Sequence, residues 1–200
     1  NGLQAIFVKT DELIYDLEDE NLFDGGNEYR YFDTKSTRYF SEFVKNIEFI
    51  NDTTIVTLRT DNKRSFKRYS NLWQDINGKK LIATQEGKNP STEADYHLVK
   101  FSLPYEHEIT HGDLYIHGQI SDYSFPESHR LNYNKKEKKY EASIYLKQGF
   151  YNYEYVLKKK NGTTLSSFIE GTHFETRNDY RIFIYHRKTG SFYDQLIGIK

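Results

Sequence analysis

Apolar and polar residues alternate with a period of two along most of the chain, the pattern of a half-buried strand. The clearest run is Tyr140–Lys147. Tyr140, Ala142, Ile144 and Leu146 share one face, Glu141, Ser143 and Lys147 take the other, and Tyr145 breaks the rule. Phe150–Leu157 sets Tyr151, Tyr153, Tyr155 and Leu157 against Asn152, Glu154 and Val156. His97, Val99, Phe101 and Leu103 alternate with Tyr96, Leu98 and Lys100, whereas Leu114–His117 is short and two-sided. Tyr180–Arg187 and Tyr193–Ile199 read as the last strands. Earlier runs are Glu28–Phe32, Val44–Ile50, Thr53–Thr60, Leu72–Ile76 and Lys79–Thr84. Arg38–Lys45 has room for a helical turn or two, and no segment reads as a full helix.

Turn chemistry punctuates these runs. Asn51-Asp52 and Asn77-Gly78 each sit between two strand patterns, and Asn161-Gly162 follows the triple lysine, where such a pair favours a tight hairpin turn. Lys147-Gln148-Gly149 separates the Tyr140 run from the Phe150 run, and Pro104 and Gly112 bracket a loop. The polar stretch Gln85–Glu93, with Gly87 and Pro90, is the best linker in the chain. The expected architecture is therefore all-β, as two immunoglobulin-like sandwiches in tandem over residues 1–94 and 95–200.

Composition strengthens the β reading. Alanine occurs only at positions 5, 83, 94 and 142, while Tyr 18, Phe 14 and Trp 1 make the chain 16% aromatic. Strands favour aromatic and β-branched residues, and each ring can bury roughly 150–250 Å². The formal net charge of −1 gives no global field to draw nucleic acid or an acidic membrane. The lysine runs at 135–139 and 158–160 fit solvated turns and strand edges that deter aggregation. Cysteine is absent, so no disulfide framework exists. No apolar run reaches the ~18 residues of a spanning helix. Methionine is absent even at position 1, as expected of a processed or truncated piece of something longer.

The sharpest chemical motif is His107-Glu108-Ile109-Thr110-His111, a literal H-E-x-x-H. That spacing binds zinc because a helix stacks both histidines on one face and leaves the Glu as general base. Here Pro104 and Gly112 confine it to about nine residues between strands, too few for the ~10–12 of a self-standing helix, so an ordinary loop is expected. No nucleophile elbow or phosphate-cradling glycine loop is present. The expectation is a non-enzymatic chain with no catalytic residue, metal or other cofactor, and no small-molecule substrate. Binding surfaces are better founded. Tyr123 and Phe125 lie in the aromatic stretch Gly118–Pro126, Phe192 and Tyr193 follow Gly190, and Trp73 is the single tryptophan. Loop aromatics of this kind serve either as recognition anchors or as core plugs and cross-sheet contacts.

Gly112–Tyr155 resembles an early-set β-sandwich of the glycogen-binding type, through Leu146, Gly149, Tyr151, Tyr153 and Tyr155. The sugar-stacking tryptophan of such modules is replaced by Tyr123 or Phe125. That resemblance supports an alternative role as a carbohydrate-binding envelope module.

A resemblance spanning nearly the whole chain is to the type IX secretion system plug family. It rests on Phe23–Arg30, Tyr69–Trp73 with Asn77-Gly78, Asp95-Tyr96, Leu146–Tyr153, Glu170-Gly171, Glu175–Tyr180, Tyr185 and Tyr193–Gly198, in that order. The family's chains are longer, so this would be a C-terminal portion. The resemblance implies a periplasmic protein that closes the periplasmic side of a large outer-membrane β-barrel translocon. On that view Tyr123, Phe125, Phe192 and Tyr193 are the partner-facing candidates.

Overall fold

The computed structural model describes residues 5–16, 23–70 and 75–200. Trp73, most of the Leu72–Ile76 run and the end of the Tyr69–Trp73 motif lie outside the described residues.

The fold is an all-β sandwich. One five-stranded sheet has the order β4 (Val44–Ile50), β5 (Thr53–Leu58), β7 (Tyr96–Pro104), β10 (Lys139–Lys147), β9 (Asn132–Asn134). All its pairings are antiparallel except β5 with β7. The second sheet is organised around β11 (Gly149–Lys159). β3 (Arg30–Asp33) and β6 (Lys80–Ile82) flank its first half, and β8 (Gly112–His117) and β12 (Thr164–Leu165) its second. The one α-helix among the described residues, α1, is the single turn Ser167–Glu170. Two further hairpins stand apart from the sandwich, β1 (Phe7–Val8) with β2 (Leu13–Ile14), and β13 (Phe183–His186) with β14 (Gln195–Ile199).

Local chemistry explains the hairpins. Asn51 and Asp52 adopt φ of 47° and 59°, the left-handed pair that matches strand twist, and Ile50 and Thr53 pair directly across them. Arg38–Lys45 forms no helix; the chain bends there and enters β4 at Val44. The strands β7 and β10 bury the residues that alternation selects. The strand β11 departs from it, since Asn152 and Val156 on its expected polar side are buried as well. Asn152, on the expected polar side, is fully buried. Its amide accepts from Ile76 N–H (2.6 Å) and donates to the Arg30 carbonyl (3.3 Å), so the burial leaves no polar group orphaned.

The two sheets meet through aromatic rings. Phe32 on β3 contacts Phe101 edge-on at 5.5 Å and stacks on Tyr151 at 5.1 Å, and Phe101 meets Tyr153 at 5.4 Å. Phe32, Val44, Val56 and Leu58 belong to one core with Val99, Leu103, Ile144 and Tyr155.

Strands from either side of the expected boundary at residue 94 are hydrogen-bonded in common sheets. β5 pairs with β7, and β3 and β6 pair with β11. Gln85–Glu93 is not a loose tether. The Glu86 carboxylate accepts from Ser36 Oγ (2.6 Å), Thr37 N–H (3.0 Å), Thr84 Oγ1 (3.2 Å) and Gln148 Nε2 (3.2 Å). Those hydrogen bonds hold it below the usual carboxylate range against the opposing effect of burial.

Candidate partner-binding surfaces

The densest charge cluster lies inside the sandwich. Glu170 is 1% exposed and ends α1 against β11. Its carboxylate receives Arg30 Nε (3.0 Å), Arg64 Nε (2.5 Å) and the Tyr155 backbone N–H (2.8 Å). Arg30 also reaches Asp61 (2.8 Å), whose other oxygen accepts from the hydroxyls of Tyr153 (2.6 Å) and Tyr155 (2.8 Å). Burial alone would raise the Glu170 pKa, but the two guanidiniums hold it down. Every member is hydrogen-bonded, so the cluster fixes geometry and offers no open position to a substrate.

The second cluster surrounds the loop after β8. Gly118, at φ 132°, turns the chain where an added Cβ would press on the Gly78 and Asn152 carbonyls at 3.2 and 3.3 Å. A 3-10 turn over Gln119–Ser121 follows, and Asp122 and Tyr123 both take left-handed φ, of 50° and 53°. Tyr123 is 51% exposed and meets the His117 ring edge-on at 6.2 Å. Phe125 is half-buried. His117 stacks on it at 4.9 Å, Tyr115 meets it edge-on at 5.3 Å, and Lys158 Nζ lies 5.1 Å from its centroid. Phe125 is thus occupied by its own fold, and Tyr123 is the ring of the two that this loop presents. Beneath the loop His129 donates from Nε2 to the Ile120 carbonyl (3.1 Å), leaving Nδ1 to accept from Ser128 Oγ (3.0 Å).

Phe192 and Tyr193 sit in the tip of the β13–β14 hairpin, beyond an Arg187–Asp194 pair at 2.9 Å. Phe192 is fully exposed and Tyr193 is 71% exposed. The four candidate residues therefore form two groups, and no ring contact joins the two among the described residues. Sequence reasoning missed the strongest exposure elsewhere, Phe174 at 93%.

The H-E-x-x-H stretch is a loop between β7 and β8. Ile109 N–H is bound by the Tyr140 hydroxyl (2.6 Å), His111 packs edge-on against Phe168 (5.8 Å), and Glu108 pairs with Lys135 (3.4 Å). The helical stacking that zinc hydrolysis needs is not formed. An open groove of about 630 Å³ runs past Lys35, Lys79 and Lys80 over Leu81 and Phe150. Lys35 and Lys80 are paired there with Asp33 (3.2 Å) and Asp122 (2.9 Å).

Buried groups set a pH window. Burial holds His97 and His129 below the ordinary histidine value. The unfolded chain therefore binds protons first as pH falls through about 6.5, and stability drops with it. Burial pushes Tyr31 and Tyr69 up to about 12 and Tyr153 and Tyr155 well above their usual value, so the unfolded chain loses protons first above about pH 10. Urea midpoints should peak between roughly pH 7 and 9. A His97→Gln/His129→Asn variant should flatten the limb between pH 6.5 and 5; an unchanged limb would assign it to other groups.

No family model matches this chain, and no curated protein matches it. A solved structure of a hypothetical protein from Parabacteroides merdae is similar over 99% of the chain, with 34% sequence identity and a TM-score of 0.91. The chain spans 50% of that protein's length.

Proposed function

We propose that this chain is part of a non-enzymatic periplasmic plug, which closes the periplasmic side of the outer-membrane translocon barrel of the type IX secretion system. The observation that carries this reading is the aromatic hairpin tip, with Phe192 fully exposed and Tyr193 at 71%. Exposed aromatic anchors suit a protein partner better than a small substrate. A wide barrel leaves an aqueous channel. A sandwich with mixed charge and a net charge of −1 can seat against it without strong like-charge repulsion. Tyr123 supplies a second anchor, while Phe125 acts through the packing of that loop. The family resemblance points the same way.

The test is capture of the tagged full-length protein from solubilised native envelopes, with bound partners identified by mass. A large outer-membrane barrel recovered near one-to-one is the expected result. Phe192→Ala/Tyr193→Ala should then cost about 2 kcal/mol, or roughly 30-fold in Kd, the scale of an interface hot spot. Recovery of no barrel, with retention on a glucan column that Tyr123→Ala abolishes, would replace the plug with the carbohydrate-binding alternative.

A further inference from the structure

The β13–β14 hairpin is a ribbon with apolar residues on both faces. Phe183 lies opposite Ile199 and Tyr185 opposite Leu196 on one face, and Ile182 and Ile184 fall on the other. These six side chains are between 44% and 61% exposed. A free two-stranded ribbon is marginally stable in water, and contiguous exposed apolar surface marks a contact site.

The ribbon is nonetheless anchored. The segment entering it is laced to residues 25–28. Asn178 Nδ2 donates to the Gly25 carbonyl (2.8 Å), Thr176 Oγ1 to the Gly26 carbonyl (2.9 Å), and Arg177 N–H to Glu28 Oε1 (3.4 Å). Asn77 Nδ2 adds a bond to Asp179 (3.3 Å). The β1–β2 hairpin is bare in the same way, with Phe7 at 64% and Val8 at 74%. Anchored roots with uncovered faces describe a surface held out to meet something.

Length and charge indicate what meets it. The solved neighbour carries this whole fold in half of its chain, so a comparable length of polypeptide lies beyond the shared part there. The ribbon also carries Arg181, Arg187, Lys188 and Lys200 against one acid, Asp194, which Arg187 already engages. We propose that both faces of the ribbon are the seat of a second folded unit of the same polypeptide. That unit is the part of a chain of the neighbour's length outside residues 1–200, with carboxylates on its rim facing Arg181, Lys188 and Lys200. The tip with Phe192 and Tyr193 projects past this seat. The inference does not depend on the plug reading.

Hydrogen exchange on the natural full-length polypeptide tests it. Amides of 182–186 and 195–199 should exchange about 100-fold slower than those of a solvent-exposed hairpin, independently of protein concentration. Phe183→Ser/Ile199→Ser should erase that protection and leave β10 and β11 protected, because neither residue belongs to the sandwich core. Four outcomes would overturn the proposal. They are a ribbon that exchanges freely in the natural polypeptide, protection that fades on dilution (a second copy), protection that needs added phospholipid vesicles, and a natural polypeptide with no residues beyond these.

Discussion

Replacing Glu170 with alanine should cost about 3–5 kcal/mol, the scale for removing one partner of a buried ion pair. The loss has three parts on this structure. Arg64 loses its carboxylate partner, Arg30 keeps Asp61 and the Asn62 carbonyl, and the Tyr155 N–H faces a void in the middle of β11. The last is severe, because a buried amide without a partner loses its full hydration. Against a typical total stability of ~5–15 kcal/mol, the variant should lose much of its urea midpoint. Glu170→Gln should fall between, since its amide oxygen can still accept from Tyr155. A loss under about 1 kcal/mol for Glu170→Ala would mean that water replaces the carboxylate, and that the cluster does not fix the position of α1.

Phe32→Ala should cost a similar amount, about 3–5 kcal/mol, by leaving a cavity that rigid neighbours cannot fill. Phe32 is fully buried, and its ring touches Phe101, Tyr151 and Tyr153 from both sheets. The form of the transition matters as much as its midpoint. A core shared by residues on both sides of position 94 predicts that circular dichroism and exchange in β5 and β10 report one midpoint, and that the substitution moves them together. Two separate transitions, with only the one reported by β5 displaced, would show that the halves fold independently.

The sequence revealed local structure better than long-range pairing, for identifiable reasons. Asn51-Asp52 and the alternation of Tyr140–Leu146 are local signals, read by backbone conformation and by one buried face. Period-two reasoning assumes a strand with one wet face, so it placed Asn152 in solvent; the groups that meet its amide, Ile76 N–H and the Arg30 carbonyl, come from residues far away. Gln85–Glu93 looked like a linker because it is polar. Its key polar group, the Glu86 carboxylate, is consumed by four donors scattered from Ser36 to Gln148. Arg30 and Glu170 fall in resembling segments, but their meeting with Asp61 and Arg64 was not legible because the four share no spacing rule. Among the partner-facing candidates, exposure in a loop was legible for Tyr123, Phe192 and Tyr193. The packing of Phe125 was not, since it depends on Tyr115 and His117 across a turn.

The pairing of β3 with β11 also governs how this chain comes into being. Arg30–Asp33 bonds with Phe150–Tyr153, and β5 finds β7 only by a parallel return. At the usual ~5–20 residues per second of synthesis, the first of these strands waits roughly 6–24 seconds for its partner to be made. Contacts of such long range close slowly. The sandwich is therefore left unfinished until residues 150–153 are translated. Until then the Phe32 ring lacks the Tyr151 and Tyr153 rings that later cover it.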